Sequence, residues 1–357
     1  MTSSDNPTTM RWLRARWILS GLVVFVLLWS ALLASTSLGP HVDNIEQLTW
    51  VRSIEWGYYK HPPLPTWLIW PFVQIFGLQA GVSFLMGALC KGLALAGFWW
   101  LMLRLRGPVT AFVALLAACC ISYYSAHLNL YNHNVVMMLS LVAAADCTWQ
   151  AWRRRSGAWW CLLGVVLGLG LLTKYQTVVT ITSVLVFFVA SGAWQEAVHR
   201  RGLALALLLA LLIFLPHLLW VMDHPLNPIT YARQSSLEAA HLWQVRVRDV
   251  SAWVGDHFFN RGLGSVLLLL TVGWILWPQR LSDAAAQSVP SSAGGVGENT
   301  TDPARALIFS FSLVPLGFVM FLGLALGAEL RKHWGTPFLF WLVPATMEVL
   351  RRIPWGL

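Results

Sequence analysis

The segment WILSGLVVFVLLWSALLASTSL, residues 17–38, is an apolar run long enough to cross a lipid bilayer as a helix. It is too long for the apolar core of a secretory signal peptide, and it lacks a convincing cleavage site of small residues. We therefore expect a retained anchor helix. Apolar runs of similar length recur along most of the chain, which predicts a polytopic membrane protein built from helices.

The composition supports this membrane assignment. Hydrophobic residues make up 57% of the 357 positions and charged residues only 11%, whereas about 25% of a typical soluble protein is charged. The 22 tryptophans suit the membrane interfaces, where aromatic belts form. The net charge of +9 is explained by short arginine clusters between apolar runs, which indicates topology signals rather than nucleic-acid binding.

The sequence offers no signature of a metal or cofactor site. All five cysteines fall inside apolar segments without metal-ligand spacing, so we expect small core residues. These are Cys90, Cys119, Cys120, Cys147 and Cys161. There is also no Gly-rich phosphate loop, zinc-type ligand spacing or nucleophile-elbow motif.

The apolar runs predict about ten membrane spans within one domain covering residues 1–357. The fifth and sixth are separated only by LTKYQT, which predicts a tight hairpin or one broken helix. Lys91 and Asp146 lie inside predicted spans, so either they pair with each other or the boundaries are shifted. The spans are expected near residues 15–37, 79–103, 108–126, 134–152, 158–173, 176–193, 203–222, 262–278, 305–328 and 337–350.

Arginine clusters predict the orientation of these spans. Of the 24 basic residues, 14 flank alternate span ends, which the positive-inside rule assigns to the cytoplasm. The Ser-, Ala- and Gly-rich segment 282–304 is expected on the same side as a flexible linker. The exoplasmic segments are then 38–78, 127–133, 174–175, 223–261 and 329–336, of which the first and fourth are large loops.

The exoplasmic segments mix acids, bases and histidines with aromatic residues and prolines, whereas the cytoplasmic loops mainly anchor charge. Such a concentration of ionisable groups at one face indicates a functional site. The residues concerned are Asp43, Glu46, Glu55, Lys60, His61, His133, Lys174, Asp223, His224, Arg233, Arg331, Lys332 and His333.

Asp43 follows the first span by a few residues, and two interpretations of it are open. A carboxylate beside low-dielectric material can act as a general base. Alternatively, Asp43 is a helix N-cap, because Glu46 three residues later loosely matches a capping box.

The basic residues of the exoplasmic segments also allow two interpretations. Lys60 and His61 precede two prolines that fix their direction, which suits phosphate binding, although a loop lysine also meets lipid headgroups. Lys174 lies in a wholly apolar hairpin, where a charge is costly and indicates function, unless the side chain snorkels to the interface. Residues 331–333, Arg-Lys-His, repeat this pattern at the outer end of a later span.

Four stretches, in order along the chain, resemble motifs of one family of membrane glycosyltransferases. They are GYYKHPPLPTWLI (57–69), YNHNVVMM (131–138), LGLGLLTKYQTVV (167–179) and RKHWGTPFLFWLVP (331–344). Asp43 precedes Gly57 by 14 residues and His61 by 18, as that pattern expects. The chain, from residue 15 to about 350, thus resembles the protein O-mannosyltransferase and aminoarabinose transferase superfamily, which includes glycosyltransferase family 39 and has the GT-C fold.

The resemblance implies an all-α GT-C bundle with interfacial helices in the first exoplasmic loop. It implies a polyprenyl-phosphate sugar as donor, used at the periplasmic face of a bacterial cytoplasmic membrane, and a glycan, lipid or protein as acceptor. Asp43 would be the general base of an inverting transfer. Glu46 is the candidate second acid, because the usual Asp-Glu pair reads Asp43-Asn44 here.

The resemblance also implies the remaining site residues, with neither a metal nor another cofactor among the requirements. The residues expected to bind the donor phosphate are Lys174, His61, Lys60, Lys332 and Arg233. Those expected to line the substrate pocket are Tyr58, Tyr59, Asn134, Tyr175, His333 and Trp334.

Two other classes of function rank below the enzyme. A non-catalytic relative acting as a scaffold would tolerate the loss of Asp43, and the chain does end at RRIPWGL, where many relatives continue. A transporter would place its charged residues near the bilayer midplane, on broken helices in related halves. This sequence gathers them at one face and shows no internal repeat.

Overall fold

The computed structural model describes residues 7–225, 228–232, 242–273, 302–331 and 333–351, and within these ranges its regular structure is entirely helical. The helices are α1 (Pro7–Thr36), α2 (Val42–Trp50), α3 (Leu64–Phe76), α4 (Ala80–Arg106), α5 (Pro108–Cys119), α6 (His133–Arg154), α7 (Gly157–Thr173), α8 (Thr177–Ala190), α9 (Ala197–Asp223), α10 (Pro228–Ala232), α11 (Trp243–Gly255), α12 (Leu263–Gly273), α13 (Pro303–Leu324) and α14 (Leu339–Leu350). Short 3-10 turns at Ala193–Gln195 and Thr336–Phe338 and a π-helical turn at Asp256–Arg261 accompany them.

Each predicted span corresponds to a helix, which confirms the all-α polytopic fold class. Five described helices are long and apolar enough to cross a membrane, namely α1 from Ala15 onward, α4, α6, α9 and α13. The helices at the other predicted spans are shorter. The 12 residues of α5 extend about 18 Å, against about 30 Å for the hydrocarbon core.

Helices α4 and α6 form the centre of the bundle, and α1 lies at its periphery. The most apolar stretches of α4 and α6 are 61% and 72% buried, whereas that of α1 is only 6% buried. Fully buried aromatic side chains join α4 to α13 and α14, including Phe98, Phe311 and Trp341. Because α6 is packed at the centre of the bundle, the side chains of its first turn are held in fixed positions.

The two charged residues inside predicted spans do not pair with each other. Lys91 on α4 donates hydrogen bonds to the backbone carbonyls of His127 and Leu130, which are residues of the connection before α6. Asp146 on α6 forms an ion pair with Arg104 near the end of α4. The buried lysine therefore holds the α5–α6 connection against α4.

The first predicted exoplasmic loop folds into the short helices α2 and α3. Asn44 and Gln47 form the buried face of α2. Asn44 donates to Ser83 on α4 and to the carbonyl of Asn129, both at 2.9 Å. Gln47 accepts a 2.9 Å hydrogen bond from Thr66 on α3. These bonds fix α2, and with it Asp43, against α4 and the α5–α6 connection.

The remaining predicted segments lie partly outside the described residues. The second large loop, 223–261, contributes α10, α11 and the π-helical turn. The predicted linker 282–304 lies outside the described residues up to 301, and its last two positions already belong to α13. Asp302 caps α13 by accepting from the backbone N–H of Ala304, a signal that places the helix start two residues before the predicted span.

Candidate active site

A cavity of about 560 Å³ opens at the end of the bundle that carries Asp43. Its walls come from α2, the loop before α3, the α5–α6 connection, the first turn of α6, the α7–α8 turn, α10, the π-helical turn and the segment after α13. The lining residues are His41, Asp43, Glu46, Lys60, His61, Tyr123, His127, Leu130, Asn132, His133, Asn134, Lys174, Tyr231, Arg261, Arg331, His333 and Trp334.

Asp43 lies in the first turn of α2 and is not its N-cap. The N-cap is His41, whose Nδ1 accepts from the Asp43 backbone N–H at 3.3 Å. The side chain of Asp43 is 34% exposed, and its Oδ2 accepts a 2.7 Å hydrogen bond from Asn132. Its Oδ1 receives no hydrogen bond from the described residues. The capping-box interpretation is therefore wrong, and one carboxylate oxygen remains available to a ligand.

Glu46, one turn further along α2, is engaged by Lys60. The Lys60 Nζ lies 3.1 and 3.3 Å from the two Glu46 carboxylate oxygens, and 5.8 Å from the ring centroid of Tyr231. Burial raises the pKa of Glu46, although the charge of Lys60 opposes this. Burial disfavours the Lys60 ammonium, but the charge and hydrogen bond of Glu46 outweigh it and raise the pKa of Lys60.

Asn44 gives a physical reason for the departure from the Asp-Glu pair. Its amide nitrogen donates to Ser83 and Asn129, while its Oδ1 accepts from the backbone N–H of Tyr131 at 3.1 Å. The side chain is fully buried. An ionised carboxylate has no donor, so an acid at this position would leave the Asn129 carbonyl unpaired.

Lys174 reaches the cavity from the turn between α7 and α8, where its extended backbone ends α7. The two predicted spans are thus separate helices. Its Nζ donates a 2.6 Å hydrogen bond to Asn134 in the first turn of α6. Burial lowers the pKa of Lys174 to about 7, and the charge of Asp43 acts in the opposite direction. The Lys174 side chain therefore changes between its ammonium and its neutral form near neutral pH.

Desolvation is the largest influence on three histidines of the cavity, His61, His133 and His333. The rings of His61 and His133 lie 4.0 Å apart between centroids, and His133 Nε2 is 3.3 Å from the carbonyl of Pro62. Burial lowers the pKa of His61 well below its usual value, and the charge of His133 adds to this. Burial, with the charge of Lys174, lowers the pKa of His333 to about 4. At neutral pH, His61 and His333 therefore act as uncharged hydrogen-bonding groups.

Two arginines complete the positive side of the cavity. Arg261, at the end of the π-helical turn, is held by Asp256 at 2.7 Å. Arg331 lies 3.1 Å from Glu329. The predicted phosphate contacts Lys332 and Arg233 lie outside the described residues.

The predicted pocket residues divide into two groups. Asn134, His333 and Trp334 line the cavity, whereas Tyr58, Tyr59 and Tyr175 are not among its lining residues. Tyr58 stacks on Trp50 with ring centroids 4.9 Å apart, and Tyr59 is exposed. Tyr175 shares a 2.8 Å hydrogen bond with His217 on α9. These tyrosines brace the loops around the cavity.

Several lining residues were absent from the sequence-based site. Asn132 belongs to the quoted YNHN motif, so its position there was a usable signal. Tyr123 fell within a predicted span, because that span was extended to residue 126 while α5 ends at Cys119. Arg261 carries no local signal, since only the folding of α11 and the turn after it brings it to the cavity.

Comparisons with known proteins show which sequences and folds this chain resembles. The family described as dolichyl-phosphate-mannose-protein mannosyltransferase matches residues 60–220. The chain is 25% identical over 214 residues to the lipopolysaccharide core galacturonosyltransferase RgtB of Rhizobium johnstonii, an alignment that covers 58% of this chain and 42% of RgtB. It is 24% identical over 308 residues to the lipopolysaccharide core galacturonosyltransferase RgtA of the same organism, covering 84% of this chain and 58% of RgtA.

The fold also matches solved structures of ArnT from Cupriavidus metallidurans. Against the crystal structure bound to undecaprenyl phosphate, the TM-score is 0.66 at 16% identity, covering 94% of this chain and 60% of ArnT. Against the apo crystal structure, the TM-score is 0.64. The chain thus spans 42% to 60% of the length of these proteins. Together with the helical bundle, these similarities indicate a multi-pass membrane protein with a GT-C-like fold that is similar to membrane glycosyltransferases.

Proposed function

We propose that the protein transfers a sugar from a polyprenyl-phosphate donor to an acceptor hydroxyl, with inversion and with Asp43 as general base. The reaction takes place at the periplasmic face of a bacterial cytoplasmic membrane. The observation that carries the proposal is that Asp43 shares one cavity with Lys174 and two arginines from distant parts of the chain, while one of its carboxylate oxygens receives no hydrogen bond from the described residues.

The proposed reaction is a single nucleophilic displacement at the anomeric carbon of the sugar. The acceptor hydroxyl gives its proton to Asp43 while its oxygen forms a bond to the anomeric carbon of the sugar. The bond between that carbon and the phosphate oxygen breaks, and the prenyl phosphate leaves with the electron pair. Attack from the face opposite the leaving phosphate inverts the configuration at the anomeric carbon.

The cations of the cavity supply the electrostatic part of the mechanism. Negative charge grows on the phosphate as it leaves, and fixed donors in a water-poor site stabilise such charge strongly. Lys174 is the proposed direct contact, since its only hydrogen-bond partner among the described residues is Asn134. Lys60 is shared with Glu46, and uncharged His61 and His333 donate hydrogen bonds. We propose that these side chains suffice without a metal or another cofactor.

The relatives suggest the classes of donor and acceptor. RgtA and RgtB are described as acting on the lipopolysaccharide core, and one ArnT structure holds undecaprenyl phosphate. We propose an undecaprenyl-phosphate sugar as donor and a lipopolysaccharide-type glycolipid as acceptor. Charged groups gathered at one end of the bundle favour this enzyme over a transporter, whose sites lie near the midplane.

The test is a transfer assay with purified protein, labelled undecaprenyl-phosphate sugars including an acidic one, and lipopolysaccharide acceptors. Asp43→Asn keeps the size of the side chain and removes its basicity, so transfer should fall by about 100-fold or more. Asp223→Asn is the matched control, because Asp223 is an exposed acid at the outer end of α9 outside the cavity lining. Full transfer by Asp43→Asn would remove Asp43 as the base.

A further inference from the structure

We infer that Asn132 is a positioning residue that orients the Asp43 carboxylate while capping α6. This role rests on the proposed function, because it concerns the acid that receives the proton there. The contact behind it is the 2.7 Å hydrogen bond from Asn132 Nδ2 to Asp43 Oδ2. It joins two parts of the chain that are 89 residues apart.

The orientation of the Asn132 amide follows from its other contacts. Its Oδ1 lies 3.0 Å from the backbone N–H of Val135, a group that can only donate, so this oxygen is the acceptor that caps α6. The Tyr123 hydroxyl approaches the same oxygen at 3.5 Å. The amide nitrogen must therefore face Asp43. An N–H donor at this distance fixes the direction of the Asp43 carboxylate.

The surroundings of Asn132 hold it in place. Its side chain is buried, with 6% exposure. The preceding residue, Tyr131, donates its N–H to Asn44 and its hydroxyl to the carbonyl of Pro65. Asn44 and Asp43 are neighbours on α2, so the same connection is bonded to α2 at two adjacent positions. Asp43 is thereby held by Oδ2, and Oδ1 is left for the acceptor hydroxyl.

Other titratable groups act on Asp43 from several elements around the cavity, and His133, Tyr231, Arg261 and Arg331 line the same cavity. The groups that act on Asp43 are His41 and Glu46 at α2, Lys60 before α3, Tyr123 before α6, Lys174 after α7, and His333 after α13. Of these groups, Tyr123 alone is hydrogen-bonded to Asn132 in the described part of the chain, and Asn132→Asp keeps the oxygen that the Tyr123 hydroxyl approaches. The ratio of variant to wild-type activity at each pH therefore isolates the contribution of Asn132.

The decisive variant is Asn132→Asp, which separates capping from positioning. Aspartate caps a helix as well as asparagine does, so α6 should remain capped. The variant loses the N–H donor, however, and places a second carboxylate against Asp43, and two such groups tend to share one proton. We expect kcat at pH 6.5 to fall by more than about tenfold and the ratio to wild type to rise as pH increases, because the pair ionises only at higher pH.

Two further variants complete the test. Asn132→Ser keeps a capping hydroxyl but is too short to reach Asp43. Its kcat should therefore fall relative to wild type by a factor that is the same at every pH. Asn129→Asp adds a carboxylate nearby, where the side chain contacts Ser37 outside the cavity lining, and should leave the pH profile unchanged.

Wild-type kcat in Asn132→Asp at all pH values, or a loss that is the same at every pH, would reduce Asn132 to a helix cap. If Asn132→Asp does not fold, as judged by its melting temperature, normal kcat in Asn132→Ser overturns the inference instead. No transfer by the wild-type protein would reject the proposed function, and full transfer by Asp43→Asn would remove Asp43 as the base, so both outcomes are distinguishable from a failure of Asn132 alone.

Discussion

Lys174 changes its charge within the physiological pH range, because burial lowers its pKa to about 7. Its ammonium form prevails below that pH and its neutral form above it. The single phosphodiester charge of a polyprenyl-phosphate sugar does not titrate in this range. We therefore expect the affinity for such a donor to fall as pH rises above about 7, by up to about tenfold per pH unit. Titration calorimetry in detergent between about pH 6 and 9 measures this slope.

The matched variants for this prediction are Lys174→Met and Lys60→Met. The first should weaken donor binding and abolish the slope. The second should weaken binding but keep the slope, because Glu46 raises the pKa of Lys60 and keeps it charged throughout. A slope that persists in Lys174→Met would show that another group titrates.

A second residue-scale prediction concerns Asn44. Asn44→Asp replaces the two donated hydrogen bonds with a buried carboxylate facing the Asn129 carbonyl, so we expect a loss of about 2 kcal/mol or more in the free energy of unfolding. The measurement is the melting temperature in detergent. Asn129→Asp should cost less, because its partner, the Ser37 hydroxyl, can reverse and donate. Equal melting temperatures would contradict this account of Asn44.

The sequence predicted single residues where their chemistry was unusual for their place in the chain. Asp43 beyond a membrane span, and Lys174 in an apolar hairpin, both line the cavity. Arg261 was not predicted, because an arginine in an outer segment is unremarkable until the fold supplies its partner, and Asn132 was missed although it lies in the quoted YNHN motif. Whether Asn44 could be an acid was likewise undecidable from sequence, since its three partners lie on other segments.

At the scale of elements, the close approach of α4 to the α5–α6 connection positions the site. A Cβ added at Gly87 would lie 2.5 Å from the carbonyl oxygen of Leu130, a backbone atom that cannot turn aside. Gly87→Ala should therefore push this connection away and destabilise the protein by about 1–3 kcal/mol. Because Asn132 follows in the same connection, kcat should fall as well. Melting temperature and the transfer assay measure the two effects.

Gly81 provides a control on the same helix. An added Cβ there would meet nothing within 4 Å, so Gly81→Ala should keep activity and leave stability equal or slightly higher. If both alanine variants behave alike, close packing at Gly87 is not what positions the connection.

Element lengths were the less predictable part of the fold. Apolar runs located the helices of the spans, but α5 ends at Cys119, seven residues before the predicted boundary. Residues 120–126 are apolar enough to have extended the predicted span, yet residues 120–132 form the turns that carry Tyr123, Leu130 and Asn132 to the cavity. Hydropathy cannot distinguish a buried irregular segment from the end of a helix, because both exclude water.

At the scale of the whole molecule, the two ends of the bundle have different kinds of charge. The Asp43 end combines acids, cations and histidines around a cavity. The other end carries arginines in short clusters and in ion pairs such as Arg106 with Asp302 and Glu348. Positive clusters of this kind are typical of the cytoplasmic side, so the proposed periplasmic reaction requires the cavity at the opposite end to face outward.

This orientation predicts the accessibility of two exposed positions. Ile54, 48% exposed beyond α2, should as a cysteine react with a membrane-impermeant maleimide on intact spheroplasts. Trp194, 41% exposed in the turn between α8 and α9, should as a cysteine react only after the membrane is opened. Neither change removes a charge, so the arginine signals that set the topology are preserved. The five native cysteines are replaced first, because Cys120 is itself exposed. The reverse labelling pattern would place the cavity in the cytoplasm, where a periplasmic glycolipid acceptor cannot reach Asp43.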